Sequence, residues 1–224
     1  MFFFIKKQCV LCSRFSKDFI CIACFNQFQK LKTPFCNICK GNFIENSICK
    51  ECEKRIPLFE NLFTLGAYNG LLKTVIYNLK YDGIKKLSNP LGKFLAEEIK
   101  NKIDLKKIDY VTSIPVSKEK LKKRGFNQAE LIALSVSKTL IKPYKQILKR
   151  HKETEAQHSL SATEREENLK SAFSLNTKKN LAGKNILIID DIFTTGSTIQ
   201  ETCRVLKTYD INKIYVGVVA RTLL

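Results

Sequence analysis

Eight of the nine cysteines fall within residues 1–56 as four C-x-x-C pairs: Cys9/Cys12, Cys21/Cys24, Cys36/Cys39 and Cys49/Cys52. Two intervening residues let two thiolates bite one tetrahedral ion, and repetition of the pair points to zinc. Disulfides fit poorly with a chain expected in the cytosol, and an iron–sulfur cluster is the remaining alternative. All-cysteine ligation leaves no open position, so such a zinc is structural rather than catalytic. The pairing stays open. Consecutive pairs on two ions, an interleaved arrangement of first with third and second with fourth, and a single ion with spare thiols all satisfy the spacing. Phe19, Ile20, Phe35 and Phe43 are too few to make a core. Metal is therefore expected to hold this module folded, contributing on the order of 10 kcal/mol. Cys203 stands apart at helical spacing and is expected as a free buried thiol.

A second concentration of chemistry lies near the carboxyl end. Asp190 and Asp191 are adjacent, and Thr194, Thr195, Gly196, Ser197 and Thr198 follow as a run of hydroxyls around one glycine. Free N–H groups at a helix start favour an anion, and hydroxyls add donors to phosphate oxygens. An acidic pair at the same place would repel a phosphate unless it contacts something else, and ribose hydroxyls or a magnesium ion are the candidates. The pattern suits a sugar phosphate. It is not a P-loop, because G-x-x-x-x-G-K-[ST] is absent.

These residues need a strand and a helix to hold them. Ile186 to Ile189 is an unbroken apolar run, the mark of a strand buried on both faces of a parallel sheet. Ile199, Cys203 and Leu206 then recur at helical spacing. Upstream, residues 62–81 read as a short strand and an amphipathic helix ending in the turn Lys80-Tyr81-Asp82-Gly83. Residues 89–102 read as a helix with Leu91, Phe94, Leu95 and Ile99 on one face, and residues 109–116 as a buried strand ended by Pro115. From Lys118 to Arg124 five of seven residues are basic, read as a loop at a strand's carboxyl end, where α/β sheets bind ligands. A helix follows to about Leu140. Residues 150–168 are the most polar stretch, either a loop that closes over ligand or a solvated connector, and neither His151 nor His158 is assigned a catalytic role. The final strand spans Ile214 to Val219.

The chain has 224 residues, 44% of them hydrophobic, and a formal charge of +18. Eight thiolates on two zinc ions would change that charge by −8 + 4 = −4, leaving +14. A balance of that size implies an anionic partner, nucleic acid first and a membrane surface second, or else a lysine-rich surface serving solubility. No stretch approaches the roughly 20 apolar residues of a membrane span, and Phe2-Phe3-Phe4-Ile5 is too short for a signal peptide. A cytoplasmic protein is expected, with room for peripheral contact at the inner face of the membrane. Phe15, Phe19, Phe25 and Phe28 interleave with basic residues, and Phe126 follows the second basic run. Exposed, such rings would stack the bases of single-stranded DNA; buried, they would supply the small module's core.

Residues 186–198 resemble the phosphoribosyl pyrophosphate (PRPP) motif of type I phosphoribosyltransferases. That resemblance places the ribose hydroxyls on Asp190 and Asp191, with Mg2+, and the 5′-phosphate on Thr194 to Thr198. Further blocks are Leu79-Lys80-Tyr81-x-Gly83, Arg124-Gly-Phe-Asn-Gln128, Arg150 through Gln157-x-x-Leu160 to Arg165-x-x-Asn168, and Ala220-Arg221. With the cysteine pairs they resemble the ComF family, bacterial proteins linked to DNA uptake in natural competence. The resemblance implies an α/β fold, a type I phosphoribosyltransferase-like parallel sheet with helices on both faces. A small cysteine-rich zinc-binding module at 1–56 precedes it, the larger domain occupying 57–224. It further implies that Arg124, Asn127 and Gln128 lie on the pyrophosphate side and that Arg150, Gln157 and Arg165 belong to a closing loop. PRPP, single-stranded DNA and other DNA-uptake proteins are the partners it implies. An active phosphoribosyltransferase of nucleotide metabolism is the alternative; no general base for an acceptor stands out.

Overall fold

The structure, a computed structural model, describes residues 7–31, 36, 38–40, 48–49, 52–53, 56–151, 172–176 and 180–222. In chain order the elements are β1 (Lys7–Gln8), β2 (Phe15–Ser16), α1 (Ile22–Phe25), β3 (Asn61–Ala67), α2 (Gly70–Lys80), α3 (Ser88–Lys100) and β4 (Tyr110–Ser113). There follow α4 (Lys118–Arg124), α5 (Gln128–Leu140), β5 (Leu148–Arg150), β6 (Phe173–Leu175), β7 (Asn185–Phe193), α6 (Ser197–Lys207) and β8 (Lys213–Arg221). β3, β8, β7 and β4 form one sheet in that order, and every pairing is parallel.

The apolar run in β7 takes an interior place in this sheet, with β8 on one side and β4 on the other. Leu187 and Ile189 face a core shared with Leu72, Ile76 and Leu79 of α2, Leu91 and Leu95 of α3, and Ile132 and Val136 of α5. Ile186 and Ile188 face a second core with Ile199, Cys203 and Leu206 of α6. Alternation along a strand requires this two-sided burial. Helices therefore cover both faces, as the resemblance implied. Cys203 is fully buried and free, and burial pushes its thiol upward in pKa.

The described cysteine residues do not form a core apart from the sheet. Cys9, Ile20, Cys24 and Phe28 join the first core, while Cys36, Cys39 and Cys52 join the second beside Phe59 and Leu62. Phe25 stacks on Phe94 of α3 with ring centroids 3.7 Å apart. The Ala67 N–H, at the end of β3, donates to the Gln29 carbonyl at 2.9 Å. Phe126 is buried as well. The phenylalanines near the basic patches are thus mostly packing residues, with Phe15 the exposed exception.

Two expectations are corrected. Residues 118–124 are a helix, not a loop. The Ser117 hydroxyl caps it by accepting from the Lys120 N–H, and Gly125, at φ 75°, closes it in the left-handed conformation that favours glycine. The β7 strand also does not stop before the acids. It continues through Asp190 and Asp191 to Phe193, which pairs with Arg221. Of the polar 150–168 stretch, Arg150 and His151 are described, and His151 Nε2 is hydrogen-bonded to Ser174 Oγ; Gln157, His158 and Arg165 lie outside the described residues.

Candidate functional site

The hydroxyl loop joins β7 to α6. Gly196 occupies the N-cap position of α6 at φ 83° and brings no side-chain cap. A Cβ there would come within 2.5 Å of the Phe193 ring, so glycine alone fits. The first-turn N–H groups of α6, starting at Ser197, have no partners within the helix. Thr195 Oγ1 and Ser197 Oγ lie 2.9 Å apart across the turn. Amides, two hydroxyls and the positive end of a helix dipole thus converge where an anion is favoured.

Asp190 and Asp191 sit just before this loop. Neighbours in a strand project to opposite faces, yet these two carboxyls meet, because the Asp190 side chain turns back to accept from the Asp191 N–H at 2.8 Å. Desolvation, and then the charge of Asp191, pushes the Asp190 carboxyl well above the ordinary carboxylate range. Desolvation, the largest single influence, opposes charge on Asp191 too, but the Lys80 ammonium together with hydrogen bonds from Lys80, Asp190 and Gln128 holds Asp191 below its ordinary value. Lys80, in the last turn of α2, forms an ion pair with Asp191 in which both side chains are largely buried. The pair is therefore split in tendency: its surroundings favour the proton on Asp190 and the charge on Asp191.

Cations gather around the acids. Asn127 caps α5 through the Ala129 N–H and donates to the Ile114 carbonyl at 3.0 Å, fixing the start of α5 beside the end of β4. Gln128 then donates to Asp191 and accepts from Arg124 Nη1 at 3.1 Å. Arg124 lies over the Tyr81 ring, 5.1 Å from its centroid. Partial desolvation, followed by the charges of Arg150, Arg124 and Lys80, pulls the Lys120 ammonium below its ordinary pKa. Four cations close enough to repel one another make a place for a ligand with several negative charges.

The cysteines resolve into two clusters, Cys9, Cys12, Cys21 and Cys24, and Cys36, Cys39, Cys49 and Cys52, with the Sγ atoms of each within 4.8 Å of one another. Consecutive pairs share a site; the interleaved arrangement is excluded. Cys12 and Cys21 have sulfurs 3.7 Å apart, and Cys39 and Cys49 3.6 Å. A tetrahedron with metal–sulfur bonds of about 2.3 Å has edges of about 3.8 Å, so both clusters could hold zinc, and the cysteines are free of disulfides. N–H groups of Cys21 and Cys24 point at the sulfurs of Cys9 and Cys21, both at 3.4 Å. Arg14, hydrogen-bonded to Cys12, pulls its thiol down to about 6. Cys36 falls to about 7 because, against its burial, the amides of Cys39, Cys49 and Ile38 favour the thiolate.

The resemblance pointed to Arg124 and Gln128; the structure sets Gln128 beside Asp191 and Arg124 against Gln128 and Tyr81. It also adds residues that sequence reasoning missed. Lys80 and Arg221 stood in the family blocks without a role, and Lys120 read only as one of a basic run. Arg221, at the end of β8, donates from Nη1 to the Thr194 carbonyl at 3.1 Å. No pattern in the sequence joins Lys80 to Asp191 or Arg221 to the Thr194 carbonyl.

The phosphoribosyl transferase domain family matches residues 121–223. Competence protein F of Haemophilus influenzae is 29% identical over 228 residues, covering 97% of this chain and 98% of that protein. DNA utilization protein YhgH of Escherichia coli is 30% identical over 179 residues, 78% of each chain. Competence protein ComFC of Bacillus subtilis is 28% identical over 222 residues, 90% of this chain and 89% of that one. Among the described residues no helix is long and apolar enough to cross a membrane. A parallel phosphoribosyltransferase-type sheet, paired cysteine clusters and these relatives together show that the chain belongs to the ComF family.

Proposed function

We propose that the protein binds PRPP with magnesium and handles single-stranded DNA in a competence role. On this reading residues 1–56 are a zinc-binding module and residues 57–224 the phosphoribosyltransferase-like domain. The observation that carries the sugar-phosphate part is the meeting, at one end of β7, of an acid pair and a glycine-centred helix start, with four neighbouring cations beside the acids. Asp190 and Asp191 would take the ribose hydroxyls and magnesium, Thr194 to Thr198 the 5′-phosphate, and Arg124, Lys120 and Lys80 the pyrophosphate side. Calorimetry with PRPP and magnesium tests it. Wild type should bind, and Asp190→Ala/Asp191→Ala should not, while keeping its circular dichroism; equal affinity in the two would end the assignment.

The split acid pair adds a pH dependence. Magnesium and ribose hydroxyls select ionised Asp190, whose carboxyl is raised in the free protein. Affinity should therefore climb as pH rises through that raised value and level off above it. Binding below it should release a proton, read as a buffer-dependent enthalpy. A flat profile would show that Asp190 does not meet the ligand in ionised form.

The relatives named for competence and DNA utilization support the nucleic-acid part, and so does a surface beside the site. Tyr77, in the last turn of α2, and Tyr81, which caps it, are both exposed, with ring centroids 4.9 Å apart. Arg124 covers Tyr81, and basic α4 continues the patch. Stacking on such rings contributes roughly 1–3 kcal/mol per base. Affinity for an oligothymidine should fall with a log–log salt slope near −0.7 per phosphate contacted, and Tyr77→Ala/Tyr81→Ala should weaken it. Salt-independent binding, or none at low salt, removes the DNA reading. Transfer of the phosphoribosyl group to an arriving acceptor, the bond to pyrophosphate breaking as the new one forms, remains the second reading, favoured by the neighbouring cations that would stabilise departing pyrophosphate. Pyrophosphate release with a panel of bases and amines decides it.

A further inference from the structure

We infer that Arg221 is a positioning residue that ties the second cysteine cluster to the hydroxyl loop, so that metal at one and sugar phosphate at the other bind with linked affinities. The inference rests on the sugar-phosphate reading above and adds a route of communication to it. Arg221 is 5% exposed. Its Nη1 donates to the Thr194 carbonyl at 3.1 Å, and its Nη2 meets the sulfur of Cys39, 182 positions earlier in the chain, at 3.6 Å. The guanidinium lies over the Phe193 ring, 4.8 Å from its centroid. One rigid planar fork thus holds a metal-cluster sulfur with one prong and the loop with another.

The consequence for the loop follows from peptide geometry. The Thr194 carbonyl and the Thr195 N–H belong to one planar trans unit and point opposite ways. Holding the oxygen therefore aims the N–H, a donor at the edge of the phosphate cradle. The strand frame around it is tight: Phe193 pairs with Arg221, and the Thr222 N–H donates to the Phe193 carbonyl at 3.0 Å.

The charge of Arg221 explains why the cluster matters. A buried guanidinium needs a compensating partner, and its Nε–H has no hydrogen-bond partner among the described residues. Four thiolates around one zinc carry −4 + 2 = −2, so a loaded cluster offers that compensation through Cys39. Two sites that bias one side chain are coupled, and the coupling runs equally in both directions. A lysine at 221 would keep the charge but could not span both acceptors with fixed geometry.

The full-length protein loaded with cobalt(II) provides the test, because thiolate–cobalt absorption reports on the sulfur shell. PRPP with magnesium should shift these bands in wild type and slow zinc loss to a chelator for one of the two ions. Arg221→Lys should retain two metals and its thermal melt yet lose the band shift, and bind PRPP about tenfold more weakly, the size of one hydrogen bond to a charged group. If wild type binds PRPP by calorimetry and the bands and chelation rates do not move, the inference is wrong; so is it if Arg221→Lys keeps both effects. Should that variant not fold, the two wild-type measurements decide alone. Absence of PRPP binding by wild type removes the sugar-phosphate reading and this inference together.

Discussion

The two cysteine clusters have the same ligands at nearly the same spacing and very different surroundings. The first has two half-exposed members, Cys12 and Cys21, and its polar helper is Arg14, two residues from Cys12. It docks through α1 onto the face covered by α2, α3 and α5. The second has Cys36, Cys39 and Cys52 buried against the opposite face, and its polar contact is Arg221 from the far end of the chain. A C-x-x-C pair specifies how an ion is gripped; what the gripped ion does for the protein is decided by the element packed against it. The first cluster fastens a small module to a helix layer, and the second sits under the loop that precedes α6.

Metal removal should have the largest effect and breaks the comparison most easily. Structural zinc contributes on the order of 10 kcal/mol per site, so chelation should collapse thermal stability. Between single variants, Cys36→Ser should lower Tm more than Cys12→Ser, since the buried cluster loses packing as well as a ligand. Equal losses would make the two clusters equivalent and the contrast empty.

Next in size is Lys80, which links the first cluster's face to the acid pair through α2 and not through sulfur. Lys80→Ala leaves Asp191 buried without its cation, a loss of about 3–5 kcal/mol for a buried pair broken on one side. Urea unfolding measures it. Lys80→Met/Asp191→Leu should recover most of the loss, and a cost under about 1 kcal/mol for Lys80→Ala would show the pair to be solvated. Smaller again is Phe25→Ala. The Phe25–Phe94 stack should contribute about 1 kcal/mol beyond its buried area, with zinc content unchanged. A drop in zinc instead would mean that docking, rather than the cysteines, shapes the first cluster.

Much of this was legible in the sequence where local chemistry dictates structure. Ile186 to Ile189 could only be a doubly buried strand, and the eight cysteines announced their pairs. The glycine between hydroxyls marked a helix start with an open cradle. Residues 118–124 misled because five basic side chains obscure a helix whose signals are its ends, Ser117 and Gly125. The extent of β7 misled because acids are poor strand formers unless, as here, Lys80 and the Asp191 N–H satisfy them. Lys80 and Arg221 were illegible for a simpler reason: their partners are distant in sequence, and only the folded sheet brings them together.

The central claim is that the loop around Gly196 receives the 5′-phosphate of PRPP. Phosphorus NMR reads it directly, because the 5′-phosphate and the two pyrophosphate phosphorus atoms resonate separately. With wild-type protein and magnesium, all three signals should shift or broaden. Gly196→Ala forces a Cβ into the Phe193 ring and should abolish the perturbation of the 5′-phosphate signal while circular dichroism stays native. A folded Gly196→Ala protein that perturbs all three signals as wild type does would contradict the claim.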